Sequence, residues 1–202
     1  YEYFENIEEN RKIHSEDVQK SAEYLESIIN YLKEGRLLEN ADLWIASDHG
    51  VSCGDVLGER AYGVFLYDYT LHTFLIKYEE SKRIDDNEFR GTIDTLPLIF
   101  SSASVEIPKE IDGKLNKKKI KKTLLGKTTE YEPIFLETGG VGGPFPSPEK
   151  HNIFGVMNDK VKLIHNRTID KFEQFSYSNC ADVLSPRIDS NLKKILLKYE
   201  EE

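Results

Sequence analysis

Apolar residues Val18, Ala22, Leu25, Ile29 and Leu32 recur at alternating steps of four and three, the spacing that lines up one stripe of an amphipathic helix. Ser15 stands where a cap would, Glu16 and Asp17 favour the positive end of the helix dipole, and Gly35 suits a left-handed stop. The pattern predicts a helix from Ser15 to Gly35 behind an acidic, irregular stretch over residues 1–14. Asp42 to Ala46 is a short apolar run with polar flanks and predicts a buried strand. Val64 to Tyr67 and Thr73 to Tyr78 predict two further extended segments. Asp94 is placed to cap a helix that tolerates Pro97 in its first turn. Lys114 to Lys122 is basic, with Leu115, Ile120, Leu124 and Leu125 interleaved, and predicts the solvated face of a short helix.

Further on, Pro133 to Glu137 predicts another buried strand, and the glycines and prolines from Gly139 to Pro148 a loop. Ile153 to Met157 and Lys160 to His165 flank Asn158-Asp159, a hairpin signal, and Phe172 to Tyr177 adds a third strand. Leu192, Ile195, Leu196 and Tyr199 form the stripe of a last helix, capped by Asp189 or Ser190. There is no internal repeat and no clear linker. The simplest division is one domain, 1–202, with an α/β core over 15–150, a small antiparallel sheet over 151–180 and a terminal helix over 186–202.

Composition narrows the function classes. Hydrophobic residues are 39 % and charged residues 31 % of the 202, which fits a globular chain and argues against disorder. The net charge of -9 lacks the basic balance of a nucleic-acid binder. No apolar run reaches the roughly 20 residues of a membrane span. Two cysteines, Cys53 and Cys180, make no disulfide framework and lean towards a reducing, cytoplasmic compartment. Cys53 reads as a small packed residue rather than a reactive thiol.

The residues that can carry chemistry are Asp48 and His49, within Ser47-Asp48-His49-Gly50 at the carboxyl end of the predicted strand. Ligands of open α/β sheets gather beyond such strand ends. A carboxylate and a neutral imidazole suit a hard or borderline divalent cation, and Gly50 lets the backbone turn close to it. A capped turn with no ligand remains the alternative at this point.

The segment order resembles the sulfatase family of the alkaline-phosphatase superfamily. "EGRLLENADLWIASDHG" is similar to the family's approach to its metal-binding Asp-Asn/His-Gly, and "YGVFLYDYTLHTFLI", "RGTIDTLPLIF" and "IDGKLNKKKIKKTLLGK" resemble the segments after it. "PIFLET" sits where the family has its next core strand. "MNDKVKLIHNRTIDKFEQFSYSN" is similar to its closing antiparallel strands.

The resemblance implies the C-terminal portion of an alkaline-phosphatase-like α/β fold, a mixed sheet sandwiched by helices with a small C-terminal antiparallel sheet. It implies a divalent metal ion, Ca²⁺ or Mg²⁺ first and Mn²⁺ or Zn²⁺ as alternatives. Asp48 and His49 match two of the ligands, and the nucleophile and remaining ligands are expected upstream. The implied activity is hydrolysis of a small-molecule or glycan sulfate ester, with no turnover by this portion alone. The alternatives are a phosphoester hydrolase or phosphotransferase of the same superfamily, or a degenerate binding module. Where sheet faces and edges are left uncovered, either a homo-oligomer or coverage of the edge by the chain's own termini is expected.

The chain also departs from the family pattern. No Lys stands near Tyr62-Gly63, where many sulfatases contact the sulfate, and Thr92 replaces the His of two-metal relatives. His72 stands in place of the usual Arg and is a candidate substrate contact, with a buried or edge histidine as the alternative. Glu59 and Arg60 are candidates to reach the anion or orient His49, with a surface ion pair as the alternative. Gly139, Gly140, Gly142 and Gly143 lack the context of a P-loop and read as a loop at the rim of the site.

Overall fold

A computed structural model describes residues 6–56, 65–78, 91–115, 118–123, 126–138, 152–178 and 181–201. The candidate residues Glu59 and Arg60, the Tyr62-Gly63 position and the 139–148 glycines lie outside the described residues.

The first helix, α1, spans Ile7–Glu34 and so begins well before Ser15. Asn6, not Ser15, is its cap: Asn6 Oδ1 accepts the Glu9 amide at 3.1 Å, with Glu8 and Glu9 in the first turn. The acidic stretch expected to be irregular is therefore helical from Ile7, because an Asx cap and early acids start a helix as well as Ser15 would. Its apolar stripe is only half-covered among the described residues: Leu25, Ile29 and Leu32 are half-buried, while Val18 and Ala22 are exposed. No residue of α1 is buried, and Val18 is 53 % exposed.

Strand β1 (Trp44–Ala46) pairs antiparallel with β2 (Leu75–Lys77), Ile45 opposite Ile76. Both extended readings hold, but the pair is half-buried rather than buried on two faces. Of the large mixed sheet implied by the resemblance, this ladder is the part found among the described residues. Between the two strands the chain makes one turn of helix, α2 (Asp68–Leu71). Phe65 to Tyr67, expected to be extended, is irregular in its described part, and Leu66 is buried there.

A 3₁₀ turn at Thr92–Asp94 leads into α3 (Thr95–Ser102). Asp94 does not cap α3 through its side chain. It is fully buried, and its carboxylate accepts the amides of Gly91 and Lys114, both at 2.9 Å. A buried carboxylate needs such donors, and these two join chain segments 20 residues apart.

From Lys118 on, the basic run is a strand, not a helix. β3 (Lys118–Thr123) pairs antiparallel with β4 (Gly126–Tyr131), Lys119 opposite Glu130. Ile120, Thr123, Thr128 and Thr129 are β-branched, and Lys119 faces Glu130 across the pair, although Lys122 stands opposite Lys127; the β-branched positions outweigh the helix-like spacing of the leucines.

The C-terminal sheet has the order β5 (Ile134–Thr138), β6 (Ile153–Met157), β7 (Val161–Asn166), β8 (Lys171–Ser178), β9 (Ala181–Leu184), antiparallel throughout. It is wider than the 151–180 read from the sequence, since the strand at 134–138 joins it. The Asn158-Asp159 hairpin stands: Asn158 Oδ1 accepts the amides of Lys160 and Val161 at 2.9 Å each. Helix α4 (Ser190–Glu201) is capped by Asp189, which accepts the amides of Asn191 at 2.7 Å and Leu192 at 3.0 Å. Leu192 and Leu196 of α4 pack with Val156 and Leu163 on one face of the sheet. On the other, Leu66 packs with Ile153, Ile164 and Phe175, which fixes the segment entering α2 to the sheet.

One charged residue is fully enclosed. Lys162, 0 % exposed, puts Nζ 2.8 and 2.9 Å from the two carboxylate oxygens of Asp182. Burial pushes the Lys162 pKa down, and Asp182 opposes that shift.

Candidate functional site

Beyond β1 the ladder continues for one more residue on each side. The Ser47 amide donates to the Phe74 carbonyl at 3.1 Å, and the Phe74 amide donates to Ser47 Oγ at 3.0 Å. The chain then leaves the strand, and Asp48 and His49 lie at its carboxyl end, as the sequence pattern predicts.

The turn is held from within and from outside. Asp48 Oδ1 accepts the His49 amide at 2.9 Å, and His49 Nδ1 lies 2.7 Å from the Gly50 carbonyl. The Gly50 amide donates to the Thr70 carbonyl of α2 at 2.8 Å. A Cβ at Gly50 would sit 2.1 Å from the Tyr69 carbonyl oxygen, so close approach to α2 is what demands glycine here. The following loop is tied to α1: Asn10 Nδ2 donates to the Cys53 carbonyl at 3.2 Å, and Arg11 pairs with Asp55 at 2.7 Å. Cys53 is buried and burial pushes its pKa up, in keeping with a packed thiol rather than a thiolate.

The two candidate ligands converge. His49 Nε2 is 3.6 Å from Asp48 Oδ2, and Asp48 is exposed at 88 % while His49 is exposed at 39 %. Two ligands about 2.1 Å from a tetrahedral ion, or about 2.4 Å from Ca²⁺ at a right angle, stand about 3.4 Å apart, so the pair fits one cation. Because Nδ1 donates to the Gly50 carbonyl, the lone pair of the neutral ring is on Nε2, the arrangement usual for metal-bound imidazoles. No group of three or more His, Cys, Asp or Glu side chains suited to a metal occurs among the described residues. The fit thus extends to two ligands, and further ligands would lie outside the described residues.

Asp48 and His49 line an open cleft of about 1050 Å³ that His72 and Thr92 also line. His72 follows α2 and is exposed; its amide donates to the Asp68 carbonyl at 2.8 Å. Three sequence candidates, Asp48, His49 and His72, therefore share one cleft. Asp68 lines it too, and burial pushes the Asp68 pKa up.

The opposite charge in the cleft was missed in the sequence. Lys114 and Lys119 both line it and both pair with one carboxylate, Glu132, at 2.8 and 3.0 Å. Hydrogen bonds from the two lysines hold the Glu132 pKa down at about 2. Only the β3–β4 pairing brings Lys119 near Glu132, and a helical reading of the run hides it.

No protein-family model matches the chain, and no curated protein matches it significantly. Solved structures do match. One is "Structure of BT4656 in complex with its substrate D-Glucosamine-2-N, 6-O-disulfate", with a TM-score of 0.55 and 19 % identity, covering 89 % of this chain and 37 % of that one. The chain thus spans little more than a third of that neighbour's length. At that identity the likeness bears on the fold alone: helices and antiparallel sheets in a mixed α/β arrangement, of which this chain matches a part.

Proposed function

We propose that this chain is part of a metal-dependent hydrolase of sulfate esters in which Asp48 and His49 hold a divalent cation. The observation that carries the proposal is their convergence at a strand end, with Nε2 of His49 and Oδ2 of Asp48 3.6 Å apart. The sulfatase-related fold supports the same reading, and so does the sulfated sugar bound by the structural neighbour.

Charge in the cleft adds a reason for the cation. Its described lining has five carboxylates, Asp48, Asp68, Asp112, Glu132 and Asp159, against two ammonium groups, Lys114 and Lys119. An anionic ester meets net repulsion there unless a cation offsets it. When bound, such an ion polarises ester oxygens and stabilises charge developing in the transition state. The chain's own residues bind and orient it: Asp48 by charge, His49 by a lone pair directed by the Gly50 carbonyl. Ca²⁺ and Mg²⁺ suit the exposed carboxylate best, with Mn²⁺ and Zn²⁺ as alternatives that suit the imidazole. His72 and the lysine pair stand where a small-molecule or glycan ester would lie.

A second reading, a degenerate binding module on the same fold, is favoured by one observation. No third suitable ligand joins Asp48 and His49 among the described residues. The two readings, and the phosphoester alternative, separate in one assay. The full-length protein is tested on nitrophenyl sulfate and nitrophenyl phosphate with each of the four ions. We expect turnover of the sulfate ester, reduced on the order of a hundredfold or more by His49→Ala, since the ion is worth several kcal/mol. Turnover of the phosphate ester alone would move the assignment to the phosphatase side. Metal uptake without any turnover would leave the binding module.

A further inference from the structure

We infer that Lys162 and Asp182, far from Asp48 and His49 in sequence, are positioning residues for the turn that carries them. This rests on the metal-site reading given above. A continuous chain of hydrogen bonds joins the two places. Lys162 Nζ on β7 holds the Asp182 carboxylate of β9 at 2.8 and 2.9 Å. Asp182 Oδ2 accepts the Asp68 amide at 2.7 Å, at the start of α2. Two residues on, the Thr70 carbonyl accepts the Gly50 amide at 2.8 Å.

Each step is stiff for a stated reason. Lys162 has no exposed surface, so its ammonium cannot trade Asp182 for water. Thr70 is buried, and its Oγ1 donates within its own turn to the Tyr67 carbonyl at 3.0 Å. Gly50 touches α2 so closely that a Cβ would sit 2.1 Å from Tyr69 O, so a shift of α2 must move Gly50 as well. His72, at the other end of α2, is carried by the same element. The sheet therefore sets both the metal motif and the candidate substrate contact through one short helix. A buried ammonium is a costly way merely to fill a core, since apolar residues of similar volume serve stability as well or better. A role in aiming Asp182 at the Asp68 amide accounts for its being there.

The test separates position from stability. In the 202-residue chain the double variant K162M/D182L removes both charges, so no isolated charge is buried and the chain can keep its stability. K162M alone and V156A, a core variant on the α4 side of the sheet, are measured beside it. The readout is amide hydrogen exchange at Gly50 without metal, plus the melting temperature. We expect Gly50 to exchange about tenfold faster or more in both Lys162 variants, with β6 and β7 amides unchanged in K162M/D182L. V156A is expected to melt earlier without that selective change. Unaltered exchange at Gly50 in K162M/D182L, or an equal change in V156A, overturns the inference. Mn²⁺ line broadening at His49 in the unmutated chain is read separately. Its absence would remove the metal reading, while the Gly50 result alone decides whether the sheet positions the turn.

Discussion

Gly50 is the residue at which backbone geometry and chemistry meet. Gly50→Ala would force a methyl group against the Tyr69 carbonyl, and overpacking of this kind costs about 1–3 kcal/mol. Urea denaturation of the variant should show that loss, with His49 ring signals shifted. Glu132 gives a second residue-scale test. Its pKa falls from 4.5 to about 2 in the folded chain, so its pairing stabilises the fold above pH 4.5 and is lost as pH falls towards 2. Because the lysines are largely exposed, the contribution is less than about 1 kcal/mol. Glu132→Gln should narrow the stability difference between pH 5 and pH 2 by that amount in acid denaturation curves. At this scale the sequence was informative where chemistry is local. Asp48, His49 and Gly50 are adjacent and sit at a strand end, so their place in the fold was legible. Lys114, Lys119 and Glu132 meet only through a strand pairing, and Lys162 and Asp182 only through the sheet. Neither cluster has a periodic signature.

At the scale of elements, α1 and α4 make a contrast. Both carry an apolar stripe, yet α1 buries none of its residues and α4 buries Leu192 and Leu196. Leu196→Ala should therefore cost about 2–5 kcal/mol, whereas Leu25→Ala in the half-covered stripe of α1 should cost under about 1 kcal/mol. Thermal melts of the two variants check this. Tyr199 on α4 is stacked on Phe135 at 4.1 Å and donates its hydroxyl to Glu137. Burial, then the Glu137 bond, pushes its pKa from 10.0 up to about 12. The raised value means this contribution is complete below pH 10 and lost as pH rises through about 12. An ultraviolet difference titration of the chain against Tyr199→Phe should show one phenol ionising near there. Periodicity located both helices and the hairpin, because each is a local pattern ended by a cap or turn residue. It placed the start of α1 too late and read β3 as a helix. In the first case Asn6 competes with Ser15 as a cap, and in the second the partner strand, not the run itself, decides the conformation.

For the whole molecule the described residues divide the work. The antiparallel sheet with α4 supplies most of the buried core, and the β1–β2 ladder with α2 holds the turn of Asp48 and His49. The α/β class and the closing sheet were legible in segment order, and the structural neighbour agrees on the fold over 89 % of this chain. The extent of the sheet was not, because β5 and β6 are separated by a long insertion rich in glycine and proline. The central claim is that the Asp48 carboxylate and the His49 Nε2 lone pair bind one divalent cation. The most direct measurement is a Mn²⁺ titration of the isotope-labelled chain followed by nuclear magnetic resonance line broadening. The account predicts that the His49 ring and the amides of Asp48 and Gly50 broaden first, and that Asp48→Asn and His49→Ala each abolish that selectivity. Broadening that begins elsewhere on this acidic chain, or that is unchanged in both variants, would contradict it.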